Sequence, residues 1–155
     1  MKELFDSFKR GDAQNSVLLD TCFILNLVEN DRKLLPGYPY ALTSFNVEEL
    51  LAVSHRLHKV KARFRRFLKS HDFVIVDVPV HIGDMKGEKA YVESVDPELL
   101  KHIADPSDAV LLAAAVKSHS VVMTKDKHHL FTVELENYLR KYDLKVFKEM
   151  KDLKG

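Results

Sequence analysis

The chain is 155 residues long, 46% hydrophobic and 30% charged, which is typical of one globular domain. Its single cysteine, Cys22, excludes an internal disulfide, and no apolar run approaches the length that spans a bilayer. The formal net charge is +1, so overall charge does not indicate a polyanionic partner. We expect one cytoplasmic domain, residues 1–155, without a membrane segment.

Short apolar runs alternate with amphipathic segments along the chain. Runs with β-branched residues predict buried strands, and apolar residues three or four apart predict core-facing helices. We expect residues 1–15 to form an additional N-terminal helical segment. In chain order we predict helix Lys2–Lys9, strand Val17–Leu19, helix Phe23–Glu29, strand Ala41–Thr43, helix Val47–Lys69, strand Phe73–Val78, helix Pro97–Ala104, a helix beginning at Pro106, strand Ser120–Thr124, helix Leu130–Leu139 and strand Leu144–Phe147.

This alternation is typical of a parallel sheet covered by helices on both faces. We therefore predict an α/β fold of three layers, α/β/α, with a central parallel sheet of about five strands. Functional side chains in such sheets gather at the carboxyl ends of the strands. Ser44 or Asn46 is predicted to cap the helix after the second strand.

Acidic residues occur at four places in the sequence that are predicted to lie at the carboxyl-end edge of the sheet. They are Asp20 after the first strand, Glu48 and Glu49 in the first turn of the next long helix, Asp105 and Asp108 at the Ala-rich helix, and Asp126 after the strand Ser120–Thr124. Like charges at one edge repel, which raises pKa values or requires a cation. Mg²⁺ and Mn²⁺ take carboxylate oxygens, and one or two such ions can activate a water and offset charge on a phosphodiester.

Four stretches resemble, in order and spacing, the motifs of the PIN-domain family. They are "VLLDTCFIL", "TSFNVEELL", "DPSDAVLLAAAV" and "VVMTKDKHHLF", and together they span about Val17 to Phe147. Members of that family are small α/β nucleases with a central parallel sheet and a pocket of three or four acids that binds Mg²⁺ or Mn²⁺. The resemblance therefore implies a PIN-like sheet and a metal-dependent ribonuclease.

Each of these motifs contributes one acid to the implied pocket. The resemblance implies that the metal ligands and catalytic residues are Asp20, Glu49, Asp108 and Asp126. Thr21 and Thr124 match hydroxyl positions that orient a ligand. Glu48 is the alternative to Glu49, because adjacent helix positions point about 100° apart and only one faces the pocket. Asp105 is a further acid, which we expect to be an N-cap rather than a ligand.

Several of these residues also have a structural interpretation. Asp20 could bond to nearby backbone N–H groups, and Asp108 could complement a helix dipole. The presence of all four acids together favours ligation. Cys22 is expected to be an inert core cysteine, since no histidine is placed beside it. His128 and His129 are expected to be solvated, with a substrate contact as the alternative.

A row of basic residues lies on the predicted long helix. Arg56, Lys59, Arg63 and Arg66 recur three or four residues apart, and no acid occurs between Glu49 and Asp72. The row is either a solvated face or a path for an RNA backbone. Lys125 is a further candidate contact to phosphate.

The motifs favour one function and leave alternatives open. The leading hypothesis is a divalent-metal-dependent endoribonuclease that hydrolyses single-stranded or structured RNA. Its setting would be either a toxin–antitoxin pair, with an antitoxin partner, or an RNA-processing complex. Homodimers are common in the family, so a homodimer is a further expectation. The alternative is a catalytically weak PIN-like scaffold that binds RNA or protein. A phosphotransfer pocket is disfavoured, because such pockets place paired acids where "LLDTCF" has one.

Overall fold

A parallel sheet organises the residues that the computed structural model describes, which are 1–56, 58–103, 105–125 and 132–154. The strands in this part of the chain are β1 Lys9–Arg10, β2 Val17–Leu19, β3 Tyr40–Thr43, β4 Phe73–Val76, β5 Val121–Met123 and β6 Val146–Phe147. Their order across the sheet is β1-β4-β3-β2-β5-β6. The predicted α/β class and parallel three-layer architecture are therefore confirmed.

Helices follow most of the strands and return the chain to the opposite edge of the sheet. They are α1 Lys2–Asp6, α2 Thr21–Glu29, α3 Ser44–Ser54, α4 Lys61–Lys69, α5 Met85–Val95, α6 Leu99–His102, α7 Pro106–Ser118 and α8 Val133–Arg140, with 3₁₀ turns at His58–Val60 and Met150–Lys154. Within the described ranges, none of the helices has both the length and the apolar character needed to cross a bilayer.

Two apolar cores cover the two faces of the sheet. Leu112 of α7 belongs to one core and Ile24 of α2 to the other, and both side chains are fully buried. Strand β2 contributes to both, because successive strand residues point to opposite faces. Leu18 faces the α7 side, whereas Val17 and Leu19 face the α2 side.

The centre of the sheet places three strand ends side by side. Strand β2 lies between β3 and β5, and Leu19 is in register with Met123. The backbone N–H of Asp20 donates to the Met123 carbonyl at 2.9 Å. The residues that follow β2, β3 and β5 therefore share one edge, as expected for parallel strands.

The prediction of one long helix at Val47–Lys69 is wrong. Helix α3 ends at Ser54, a 3₁₀ turn follows, and α4 begins at Lys61. The Ser54 hydroxyl donates to the Leu51 carbonyl at 2.8 Å, which competes with continued helix. The break lets α4 bury Phe64 against Phe5 of α1.

Three smaller predictions also need correction. The stretch between Val78 and Pro97, for which the sequence predicts no helix or strand, contains α5. The apolar face of α5 is narrow: Tyr91 and Val92 are its only buried apolar residues in the described chain. The N-terminal helix ends at Asp6, and β1 adds a sixth strand. The cap of α3 is Thr43, whose hydroxyl accepts from the backbone N–H of Asn46 at 3.0 Å.

Candidate active site

Asp20 stands where β2 ends and is the N-cap of α2. Its Oδ1 accepts a hydrogen bond from the Thr21 backbone N–H at 2.8 Å. Its Oδ2 accepts from the Thr124 hydroxyl at 2.7 Å and contacts the Cys22 thiol at 3.4 Å. The half-buried carboxylate is thus oriented from its own helix and from the end of β5.

Glu49 approaches the same place from α3. Its Oε1 accepts from the Thr21 hydroxyl at 3.1 Å and from Nδ2 of Asn46 at 2.9 Å. Nδ2 of Asn46 also donates to the Thr21 hydroxyl at 3.1 Å. Because Thr21 is the residue after Asp20, this triangle connects the two carboxylates.

Asn46 is a site residue that the sequence reasoning missed. The sequence indicates it only as a helix cap, yet its side chain is buried and bonds to both Thr21 and Glu49. The Thr43 hydroxyl donates to its Oδ1 at 2.7 Å, which leaves Nδ2 directed at the acid. The available signal was its spacing, since residues three apart on a helix share a face.

The negative charge of Asp108 also affects the site, through the pKa of Glu49. Burial raises the pKa of Glu49 to about 7, and the negative charges of Asp20 and, more weakly, Asp108 add to the increase. The hydrogen bonds from Thr21 and Asn46 oppose it. Asp108 lies half-buried in the first turn of α7. Glu49 therefore experiences the negative charges of two other acids that the motifs singled out, Asp20 and Asp108.

The donor chemistry of this edge suits a hard divalent cation. The available groups are carboxylate oxygens, and a cation would offset the charge repulsion that raises the pKa of Glu49. In the ranges that the structure describes, however, no three acidic, histidine or cysteine side chains are close enough to hold an ion as they stand. Asp126, His128 and His129 lie outside those ranges.

Glu48 and Asp105 have other contacts. One Glu48 oxygen lies 2.5 Å from Nδ1 of His81, and the other accepts from the backbone N–H of Ile82 at 2.9 Å. These contacts hold the loop after β4 against α3. Asp105 is the N-cap of α7, as predicted, and accepts from the Ser107 N–H at 3.0 Å.

Cys22 is at the edge of the site rather than in a core. Its sulfur lies 3.3 Å from the Thr124 hydroxyl oxygen and accepts from the Lys125 backbone N–H at 3.3 Å. Burial, and next the charge of Asp20, raises the pKa of the thiol to about 11. The thiol is therefore protonated at neutral pH and is a poor nucleophile.

The basic row is divided by the break before α4. Arg56 and Lys59 precede α4, whereas Arg63 and Arg66 lie on it. Arg63 donates to the Glu29 carbonyl at 3.1 Å, at the end of α2 remote from Asp20. The Arg63 guanidinium is thus about one length of α2 away from Asp20. The ammonium of Lys125, in contrast, is near the acid edge, paired with Glu149 at 2.8 Å.

Comparison with known proteins identifies the fold. A chain in the 2.2 Å resolution structure of VapBC-1 from nontypeable Haemophilus influenzae is similar to this one, with a TM-score of 0.50 and 16% sequence identity. The match covers 87% of this chain and 98% of that chain, and it confirms the PIN-type fold that the motifs indicate. At such low identity the likeness concerns the fold. No protein-family model matches the sequence, and a search of curated proteins also found no match.

Proposed function

We propose that this chain is a divalent-metal-dependent endoribonuclease whose active site lies where β2, β3 and β5 end. The observation that carries the proposal is the link from Asp20 through Thr21 to Glu49. Two carboxylates from distant segments are joined there by hydrogen bonds, and a third, Asp108, raises the pKa of Glu49. A structural acid needs no such neighbours, whereas a cation site does.

The side chains at this edge divide into ligands and residues that orient them. Mg²⁺ or Mn²⁺, as one or two ions, would be held by Asp20, Glu49, Asp108 and Asp126. When bound, such an ion activates water and offsets the charge of a phosphodiester under attack. Thr124 orients Asp20, and Thr21 and Asn46 orient Glu49. Glu48 is the alternative ligand, which would first have to leave His81.

The direct test is cleavage of a fluorophore–quencher RNA by neutral variants of two acids. We expect Asp20→Asn and Asp108→Asn to lose nearly all activity in Mn²⁺, and wild type to lose it in chelator. Asp105→Asn is the matched control, because asparagine caps a helix about as well as aspartate and the same charge is removed. Products of the active protein should carry 5′-phosphate and 3′-hydroxyl ends. Equal cleavage by every protein, with or without chelator, would refute the assignment.

A catalytically weak PIN-like scaffold that binds RNA or protein is the second candidate. It is favoured by the lack of a ready three-ligand cluster among the described residues. In that case wild type and Asp20→Asn would bind RNA equally and neither would cleave it under any metal condition.

The proposed activity suits two cytoplasmic settings. One is a toxin-type nuclease held inactive by an antitoxin, and the other is RNA processing within a protein complex. A homodimer is compatible with either setting. Growth of bacterial cells after induced expression of the protein distinguishes the two settings. A toxin-type role predicts growth arrest by wild type and none by Asp20→Asn, whereas a processing role predicts that both are tolerated.

A further inference from the structure

A groove of about 430 Å³ lies between the C-terminal end of α2 and α4. Val28 and Phe67 form apolar parts of its lining, and among its lining residues in the described chain only Asp31 is acidic. Five basic residues surround it, and we call it the basic groove: Arg32, Lys33, Arg63, Arg66 and Lys69.

Ion pairs within the described part of the chain do not neutralise the basic side chains of the basic groove. The ion pairs formed within the described ranges involve none of its five basic side chains. Arg63 is held in place through the Glu29 carbonyl at 3.1 Å, which leaves most of its guanidinium donors for another acceptor. Guanidinium and ammonium groups in such an arrangement are suited to phosphate.

The basic groove continues toward the acid edge. A second groove of about 410 Å³ shares Arg32 and Lys33 with it and extends to Lys125 and Lys151. Lys125 directly follows Thr124, whose hydroxyl bonds to Asp20. The two grooves therefore run along α2, whose nine residues make it roughly 13 Å long from its first residue to its last.

We propose that the basic groove binds RNA phosphates several nucleotides away from the bond that is cleaved. This inference rests on the proposed endoribonuclease function and adds a substrate requirement to it, because an RNA too short to reach the groove would be bound at the acid edge alone. It also assigns Arg32, Lys33 and Lys69 to RNA binding. An acidic peptide would be attracted by the same charge, but the continuous route to Asp20 favours a polymer that must reach both places.

Besides Asp31 in the basic groove, one acid lines the second groove in the described chain. Glu149 lies in the second groove and pairs with Lys125, whose hydrogen bond and positive charge lower the pKa of that carboxyl. Glu149 is therefore ionised at neutral pH and repels phosphate. Glu149→Gln should strengthen RNA binding severalfold by freeing Lys125.

The test measures RNA binding without cleavage. In an Asp20→Asn background with chelator, fluorescein-labelled oligouridylates of about 4 and about 16 nucleotides are titrated by anisotropy. Arg63→Gln with Arg66→Gln should weaken binding of the longer RNA about tenfold and change the shorter one less than twofold. The slope of log affinity against log salt should fall by about 1.4, at about 0.7 for each lost phosphate contact.

The matched control is Lys86→Gln with Lys89→Gln on α5, an exposed pair on the other face of the sheet, which should change nothing. Unchanged binding of the longer RNA by the Arg63 and Arg66 variant would overturn the inference. So would tight binding of polyglutamate together with no binding of the longer RNA, which would identify a protein-binding groove. If wild type never cleaves RNA but the length-dependent loss is found, the nuclease proposal fails while the groove assignment stands.

Discussion

The Thr124 hydroxyl donates a 2.7 Å hydrogen bond to Oδ2 of Asp20, although 104 residues separate the two along the chain. Each residue directly follows a strand, and the last residues of those strands, Leu19 and Met123, are in register. Thr124 is completely buried, so the bond is shielded from water. The order of the strands therefore orients this carboxylate through Oδ2, in addition to the local N-cap hydrogen bond from the Thr21 N–H to Oδ1.

Removing the Thr124 hydroxyl should impair the site more than the fold. Thr124→Val preserves the shape but deprives Asp20 of a donor, and we expect about 1 kcal/mol lower stability and a 10- to 100-fold loss of RNA cleavage. Thr124→Ser retains the donor and should recover most of the activity. Urea unfolding and cleavage rates measure the two effects. Comparable activity of the valine and serine variants would contradict the orienting role.

The raised pKa of Glu49 predicts a pH-dependent stability difference. Folding favours protonated Glu49, so its contribution is complete below pH 4.5 and is lost as the pH rises through about 7. Glu49→Gln should therefore match wild type near pH 4 and exceed its stability by about 2 kcal/mol at pH 8, after allowance for solvent screening. Urea unfolding in chelator measures this difference.

Glu48→Gln is the control for this measurement, because Glu48 contacts His81 and the Ile82 N–H instead of the acid site. It should give no stabilisation at pH 8. A Glu49→Gln effect of the same size at every pH would show that the pKa of Glu49 is not raised.

The thiol of Cys22 should be slow to alkylate in the folded protein. Raising its pKa from 9.0 to about 11 lowers the thiolate fraction about 100-fold at pH 8. Iodoacetamide labelling, followed by mass spectrometry, should therefore be at least that much slower in buffer than in urea. Asp20→Asn should label faster than wild type, because the charge of Asp20 contributes to the shift. Rapid labelling of native wild type would disprove the burial of the thiol.

The N-terminal segment should be necessary for stability. Phe5 is 2% exposed, and its ring lies 6.4 Å from that of Phe64, centroid to centroid. Phe5→Ala should cost about 3 kcal/mol and lower the Tm by about 6–12 °C. Lys2→Ala, at an exposed position of the same helix, should leave the Tm unchanged. Calorimetry provides the measurement, and an unchanged Tm for Phe5→Ala would mean that α1 does not contribute to the core.

Elements with strong local signals were predictable from the sequence. The strand Val17–Leu19 and the start of the helix at Pro106 match the predictions, because an apolar β-branched run and a proline at the first helical turn are local preferences. The break after Ser54 was not predictable from periodicity. The apolar spacing continues through it, and the separate helix is favoured by tertiary packing, including that of Phe64 against α1.

The sequence by itself determined the class of fold and which acids follow the strands, since both depend on short apolar runs and on the residues next to them. Only the tertiary structure decided that Asn46 joins Thr21 and Glu49, and that Arg32 and Lys33 join Arg63 around one groove. Hydrogen bonds and charge interactions depend on distances across the fold, and those distances are set by strand order and helix packing rather than by spacing along the chain.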